Sequence, residues 1–346
     1  MPKDNESIPL AHDASQLLET QRFSIEEMVR CEACLRASPP NRVNCLYCGA
    51  ALPLTEVAAA RVKPTLRPLE RWELGYNNVL LPAGKEELGV GGNLKEIAAL
   101  LRLEPEDLGR IFSLASPLPL SRTATPEEAS LIQRRLSELG VQTIIVSDYE
   151  LGLDVPTRRA RTYVLDQTDL VAYSLANAEG TRIPWSELAL LVNGSLFTRR
   201  VEVKERKRRR AEKQILDASE ATSDRAVVDI YTKDEGGGWR VDANSFDFSC
   251  LGTRKGLLAG ENLLALIELI RQQAPGAEFD ASYNGFRQAL ELVWPSEKET
   301  QSRGLSRTWL GKHSIDEVMT TTNESQFTRY SRLRHYLKSQ RLDQPE

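Results

Sequence analysis

The chain has 346 residues, enough for two or three domains, and its 45 Lys+Arg against 49 Asp+Glu leave a net charge of −4, so it is globally neither polycation nor polyanion. A hydrophobic content of 41% supports buried cores, while three histidines exclude a His-rich metal enzyme and argue against His-centred catalysis. The first residues, 1–21, are polar and of mixed charge and lack the basic start and apolar centre of a secretory signal; 1–24 reads as a disordered leader. The densest apolar stretch, 257–270, is broken by Gly260, Glu261, Asn262 and Glu268. No transmembrane helix is therefore expected, and the expected compartment is the cytoplasm.

Four of the five cysteines, Cys31, Cys34, Cys45 and Cys48, follow the spacing C-x2-C, ten residues, C-x2-C. A two-residue spacing brings both thiolates of a knuckle to one ion, and two knuckles complete a tetrahedral all-thiolate set that suits Zn²⁺. Pro39 and Pro40 mark the joining loop, and Gly49 stands where a tight turn needs positive φ. Two disulfides or two redox Cys-x-x-Cys pairs are the alternatives; the lack of a secretion signal opposes the first and the lack of a βαβ pattern the second. Cys31-Glu-Ala-Cys34 and Cys45-Leu-Tyr-Cys48-Gly-Ala resemble the zinc ribbons at the N-termini of many bacterial proteins, over residues 29–53. The spacing also approaches the Ran-binding-protein type of finger, but the tryptophan and asparagine of that family are missing. With four protein thiolates no position stays open for water or substrate, so one structural Zn²⁺ per chain is expected, in a ribbon spanning 25–56 whose folding is coupled to the metal.

Residues 57–70, with Pro64 and Pro68, read as a linker. A compact pattern follows over 71–150. Strand 76–81 ends at Pro82, and 84–92 is a glycine-containing loop. Asn93 caps a helix with Leu94, Ile97, Ala98 and Leu101 on one face, and Pro105 opens a second helix with Leu108, Ile111 and Phe112. Strand 118–123 carries a proline and reads as an edge. Thr125, Pro126 and Glu128 form a helix start with a capping box, and a β-branched strand occupies 141–147. The order β-α-α-β-α-β resembles the C-terminal domain of the bacterial ribosomal stalk protein and the related ClpS adaptor fold, most closely at Thr125-Pro-Glu-Glu-Ala through Leu139-Gly140. The ClpS degron pocket does not carry over, because Pro82-Ala-Gly-Lys85 follows the first strand and no histidine lies in the segment. The resemblance implies a small protein-docking module.

Residues 158–275 read as a β domain ended by a helix. Strands are expected at 162–165 and 170–175, a β-edge, a turn and a buried strand over 182–194, more strands over 226–232 and 239–251, and a helix at 261–273 with Leu263, Leu264, Ile267 and Ile270 against a sheet. Ile183-Pro-Trp-Ser-Glu-Leu188 and this terminal helix resemble the bacterial pleckstrin-homology-like (PH-like) architecture, which implies a binding platform; an unrelated α+β domain is the alternative. A basic insertion, 199–224, interrupts the domain. Within 199–213 stand nine basic residues and three acids, including the run Arg206, Lys207, Arg208, Arg209 and Arg210, expected on an exposed loop or hairpin tip. Contact with phosphates of nucleic acid or of an anionic membrane surface is the functional reading, and a solvated insertion the other. The last region, 276–346, reads as helical and partly disordered: a helix at 283–293, a polar mobile stretch at 296–308, and a helix at 323–342 with Phe327, Tyr330, Leu333 and Leu337 on one side. Eight basic residues against three acids fall within 301–342.

Gly89-Val-Gly91-Gly92 fits neither the dinucleotide fingerprint nor the Walker spacing. His12, His313 and His335 form no triad pattern, His335 reads as a surface residue, and Cys250 reads as a small core residue in an apolar strand. The expected architecture is α+β and multidomain: zinc ribbon, small β-α-α-β-α-β domain, PH-like β domain with terminal helix, and helical C-terminal tail. The expected function is a non-enzymatic zinc-ribbon adaptor or scaffold for macromolecular interactions, with protein as partner. A nucleic-acid-associated regulator and an enzyme without a recognisable motif are the alternatives.

Overall fold

The computed structural model describes residues 23–50, 52–53, 64–81, 93–174, 177–207, 214–233, 238–309 and 312–342, and the chain is a mixed α+β protein with several sheets. It divides into two compact units, Met1–Lys63 and Pro64–Glu346. All of the expected leader except Phe23 and Ser24 lies outside the described residues, as does the glycine loop 84–92. In the first unit, a capped 3-10 turn (Ile25–Glu27) leads into β1 (Val29–Arg30) and β2 (Ala37–Ser38), which pair antiparallel.

The second unit begins with the expected order: β3 (Tyr76–Leu80), α1 (Leu94–Leu101), α2 (Pro105–Ser113), β4 (Pro119–Thr123), α3 (Pro126–Glu138) and β5 (Thr143–Ser147). Strand β3 lies between β4 and β5, antiparallel to both, so the proline-bearing β4 is an edge. The Thr125 hydroxyl caps α3 by accepting from the Glu128 amide at 3.3 Å. The other half of the expected capping box does not form. The buried Glu128 carboxylate instead accepts from the Thr65 hydroxyl and the Leu66 amide, both at 2.8 Å, and so ties the segment before β3 to the helix start.

Seven strands then precede the next helix: β6 (Arg158–Arg159), β7 (Thr162–Leu165), β8 (Asp169–Ser174), β9 (Asn177–Pro184), β10 (Leu188–Lys207), β11 (Gln214–Thr232) and β12 (Trp239–Asp242), followed by α4 (Ala259–Gln273). The chain closes with β13 (Glu278–Asp280), α5 (Tyr283–Glu291), β14 (Glu297–Trp309), β15 (Lys312–Thr322) and α6 (Glu324–Ser339). β7, β8 and β9 form a three-stranded meander. The large sheet has the order β14-β15-β10-β11-β12-β6, with β13 also pairing β10.

Of the two alternatives for the basic stretch, a long loop or a hairpin tip, the pairing fits the hairpin: 199–207 and 214–224 are strand, because Val201 and Val203 alternate with charged residues at the period of a strand and both neighbours of β10 are available to pair. Three expectations are corrected here. The stretch 296–308, expected to be mobile, is β14; its hydroxyl and charged side chains suit an edge strand. Cys250 stands in a 3-10 segment (Phe248–Arg254) that Asp247 caps by accepting from the Ser249 amide, not in a strand. On α4, Leu266 replaces Leu264 in the buried stripe Leu263, Leu266, Ile267, Ile270, and Leu264 is 58% exposed.

Alternation along β10 and β11 buries the sheet on both faces. Leu188, Leu191, Val228 and Ile230 join a core with α4 and β7 to β9, whereas Leu190, Val192, Val227 and Tyr231 join a core with α5, α6 and the β3-β4-β5 layer. Gly194 allows the close approach on the second face: a Cβ there would stand 2.5 Å from the ring of the fully buried Phe327. Where β15 stops pairing with β10, Asn323 continues the ladder. Its Oδ1 accepts from the Phe197 amide at 2.8 Å and its Nδ2 donates to the Ser195 carbonyl at 3.0 Å.

Helix α6 packs at home, with Phe327, Tyr330, Leu333 and Leu337 buried as expected. It is also polar on its buried sides, so its charges need partners. Glu324 accepts from Arg159, Arg225 and Arg240. Arg240, 2% exposed, makes two 2.7 Å bonds to Asp229, also 2% exposed, and lies over the Phe327 ring at 4.8 Å. Asp229 outweighs the burial that would lower the Arg240 pKa and holds it above the ordinary arginine value. Arg332 reaches the carbonyls of Gly152 and Val155 after β5.

Replacing Arg240 by Leu leaves Asp229 buried and unpaired, and should lower unfolding stability by about 3–5 kcal/mol in urea titration. The double variant Asp229→Leu/Arg240→Leu should recover most of that loss; an equal loss in both variants would show that the pair is not what stabilises this layer.

Candidate metal centre

Each cysteine pair of the first unit sits on a turn. Leu35 N donates to Cys31 O at 2.8 Å and Gly49 N to Cys45 O at 3.0 Å. Cys31 N then donates to Arg36 O at 2.9 Å and Cys45 N to Ala50 O at 2.7 Å, so the two knuckles repeat one pattern. The residue after each second cysteine is left-handed, Leu35 at φ 61° and Gly49 at φ 74°. Glycine adopts this freely. For leucine it costs about 1–2 kcal/mol, which the rest of the knuckle must offset.

The turns bring the Sγ atoms of Cys31, Cys34, Cys45 and Cys48 within 4.8 Å of one another. Cys31–Cys48 and Cys34–Cys45 are each 3.6 Å apart, and all four are free thiols. A disulfide needs about 2.05 Å, whereas a tetrahedral centre with metal–sulfur bonds of about 2.3 Å has edges of about 3.8 Å. The donor set therefore fits a thiophilic metal ion and leaves no protein-free corner. The Ser38 hydroxyl, opposed by burial and helped by the Tyr47 and Cys48 amides, brings the Cys45 thiol down to about 6. At Cys48 the Ala50 amide pulls downward, but the Cys34 thiol, burial, and then Cys31 and Cys45 together push the thiol up to about 12. Four thiols this close compete for deprotonation, and a divalent cation removes the competition by stabilising every thiolate. Among the described residues of this unit the apolar core is small: Cys31, Cys45 and Leu52 cluster together, and Val43 is also buried. Leu35, Leu46 and Tyr47 are 62%, 51% and 58% exposed, with the Arg36 guanidinium 5.0 Å above the Tyr47 ring.

The other residues singled out by sequence do not join this centre. Arg206 and Lys207 are the last residues of β10, and Arg208, Arg209 and Arg210 lie outside the described residues, as does His12. His313 is on β15. His335, expected at the surface, is half-buried: it stacks on Tyr231 with centroids 4.5 Å apart, and its Nε2 is 2.9 Å from the Thr232 carbonyl. Cys250 is half-buried beside the α4 core, and burial pushes its thiol up, which suits packing and not nucleophilic attack.

Sequence reasoning missed a buried polar cluster around Asp148. Its carboxylate accepts from the Gly75 amide at 2.9 Å, Asn77 Nδ2 at 3.0 Å and Arg122 Nε at 3.0 Å, and Trp294 Nε1 donates to Asn77 Oδ1 at 2.9 Å. Two asparagines inside an otherwise apolar strand were the available signal. Comparison with protein-family models, curated proteins and solved structures finds no match to this chain. Among the described residues no helix is long and apolar enough to cross a membrane.

Metal analysis of the purified protein should find one thiolate-bound divalent ion per chain, lost in the Cys31→Ser/Cys48→Ser variant. Titration that finds the four thiols oxidised in pairs, with no metal, would contradict this assignment.

Proposed function

We propose that this chain is a non-enzymatic adaptor whose N-terminal ribbon is held by one structural Zn²⁺. The observation that carries the reading is the closed donor set: four protein thiolates at tetrahedral spacing leave no coordination position for a reacting molecule. All-sulfur tetrahedral ligation favours zinc over harder cations. Free thiols held ready for a metal favour a reducing compartment, the cytoplasm. The metal's role is to fix two knuckles that present Leu35, Leu46 and Tyr47 outward, a small apolar surface suited to a protein partner.

The second unit supports the same reading. The order of β3 to β5 with α1 to α3 agrees with the stalk- or ClpS-like docking module, and seven strands before α4, in two sheets, agree with a PH-like platform. Both are architectures that bind.

The test is cross-linked capture with full-length protein in three forms: wild type, Cys31→Ser/Cys48→Ser, and Tyr47→Ser/Leu46→Ser with its zinc intact. The expected result is a defined protein partner retained by the wild type and lost by both variants. An unchanged bound set in all three, or no partner for the wild type, would refute the adaptor reading.

A further inference from the structure

Helix α6 carries one cation that the rest of the second unit leaves short of partners. The Arg329 side chain is 14% exposed, and its one ion-pair partner among the described residues is Asp148, with Nη2 3.6 Å from Oδ2. That carboxylate is already committed. Its Oδ2 accepts from the Gly75 amide at 2.9 Å and from Arg122 Nε and Nη2 at 3.0 and 2.5 Å, and its Oδ1 accepts from Asn77 Nδ2 at 3.0 Å. Arg329 Nε is buried with no acceptor, and among the described residues the guanidinium makes no hydrogen bond within 3.5 Å. Burial, helped by the Arg122 charge, draws its pKa below the ordinary arginine value against the pull of Asp148. Two guanidiniums thus share one carboxylate, and Arg122, Arg329 and Asp148 together carry a net +1. A charge held away from water without full pairing is costly.

This excess faces a cleft. A cavity of about 450 Å³, the size of a small-ligand site, is lined by both arginines. Leu69, Val293 and Pro295 add apolar wall, and Trp72, 78% exposed, stands beside them. The other charges at the cleft are paired or face water: Arg71 meets Glu297 at 3.3 Å and Glu299 at 3.9 Å, and Glu70 and Lys298 are exposed. We propose that the cleft binds a small organic monocarboxylate, with its carboxylate on Arg329 and its apolar body against Leu69, Val293 and Trp72. A carboxylate matches the planar guanidinium fork and supplies the charge-assisted hydrogen bonds that Asp148 has no capacity left to give. One negative charge balances the net +1; a phosphate dianion exceeds it and leaves the apolar wall and Trp72 uncovered. The site lies wholly in the second unit and does not depend on the reading of the ribbon.

The test is saturation-transfer NMR of benzoate, 3-phenylpropionate and indole-3-acetate with the full-length protein at physiological salt. At least one acid should bind, with a Kd between about 0.1 and about 10 mM, as befits ligands of this size. The corresponding amide, which keeps the shape without the charge, should bind at least about tenfold more weakly, and inorganic phosphate should not displace the acid. Arg329→Gln should weaken the acid about tenfold or more and Trp72→Ala about threefold, while Cys31→Ser/Cys48→Ser should keep wild-type affinity. Because Arg329 is underpaired, Arg329→Gln should also leave the unfolding temperature unchanged or raise it, which the loss of a structural salt bridge would not do. No binding of any of the three acids, equal affinity for acid and amide, displacement by phosphate, unchanged acid affinity in Arg329→Gln, or a fall in its unfolding temperature of more than about 5 °C would each overturn the proposal.

Discussion

The second unit depends on burying a helix that is polar by composition. Helix α6 lies against the face of β10 that Gly194 leaves open, and its apolar stripe alone would not let it sit there. Glu324, Arg329, Arg332, Arg334 and Lys338 all need compensation, and it comes from several parts of the unit. β6, β11 and β12 supply arginines to Glu324, the end of β5 supplies Asp148 to Arg329, the following loop supplies carbonyls to Arg332, and β13 supplies Glu278 to Arg334 and Lys338. One helix thus checks whether the β3-β4-β5 layer, the large sheet and β13 are all in place. Buried ion pairs contribute little net stability against apolar substitutes, but a missing partner is costly, so the arrangement specifies one packing more than it strengthens it.

The same logic explains what was legible in the sequence. Local signals were read well: the cysteine spacing, the Thr125 cap, the proline on β4, the apolar stripe of α6. Each depends on residues within one short stretch of sequence. The failures involve partners far along the chain. Residues 296–308 carry no apolar alternation that would mark a strand, and they become one because β15 offers an open edge. Glu128 was expected to close its own helix start, but a segment more than sixty positions earlier in sequence competes for it. Leu264 and Leu266 are equally apolar, and only the direction from which α4 meets the sheet decides between them. The basic stretches were each visible, but that they share a sheet end depends on the β10–β15 register.

The ribbon illustrates the opposite regime. Among its described residues there is one 3-10 turn and a two-stranded sheet, and the buried apolar residues are few: Cys31, Val43, Cys45 and Leu52. Its fold is legible because nearly all of it follows from two short turns and the chemistry of four sulfurs. The conflict among those thiols, with Cys45 drawn down and Cys48 pushed up, is what a cation resolves. On the proposed reading, metal binding and folding of the first unit are one equilibrium, whereas the second unit is held by its own packing.

Native-state hydrogen exchange of the full chain, with the proposed Zn²⁺ added and after chelation, tests this division most directly. The account predicts that the amides of Cys31, Leu35, Cys45 and Gly49 lose protection when zinc is removed, while those of α6 and the centre of β10 remain the slowest to exchange in both states. Ribbon protection that survives chelation, or an α6 that opens when the metal leaves, would contradict it.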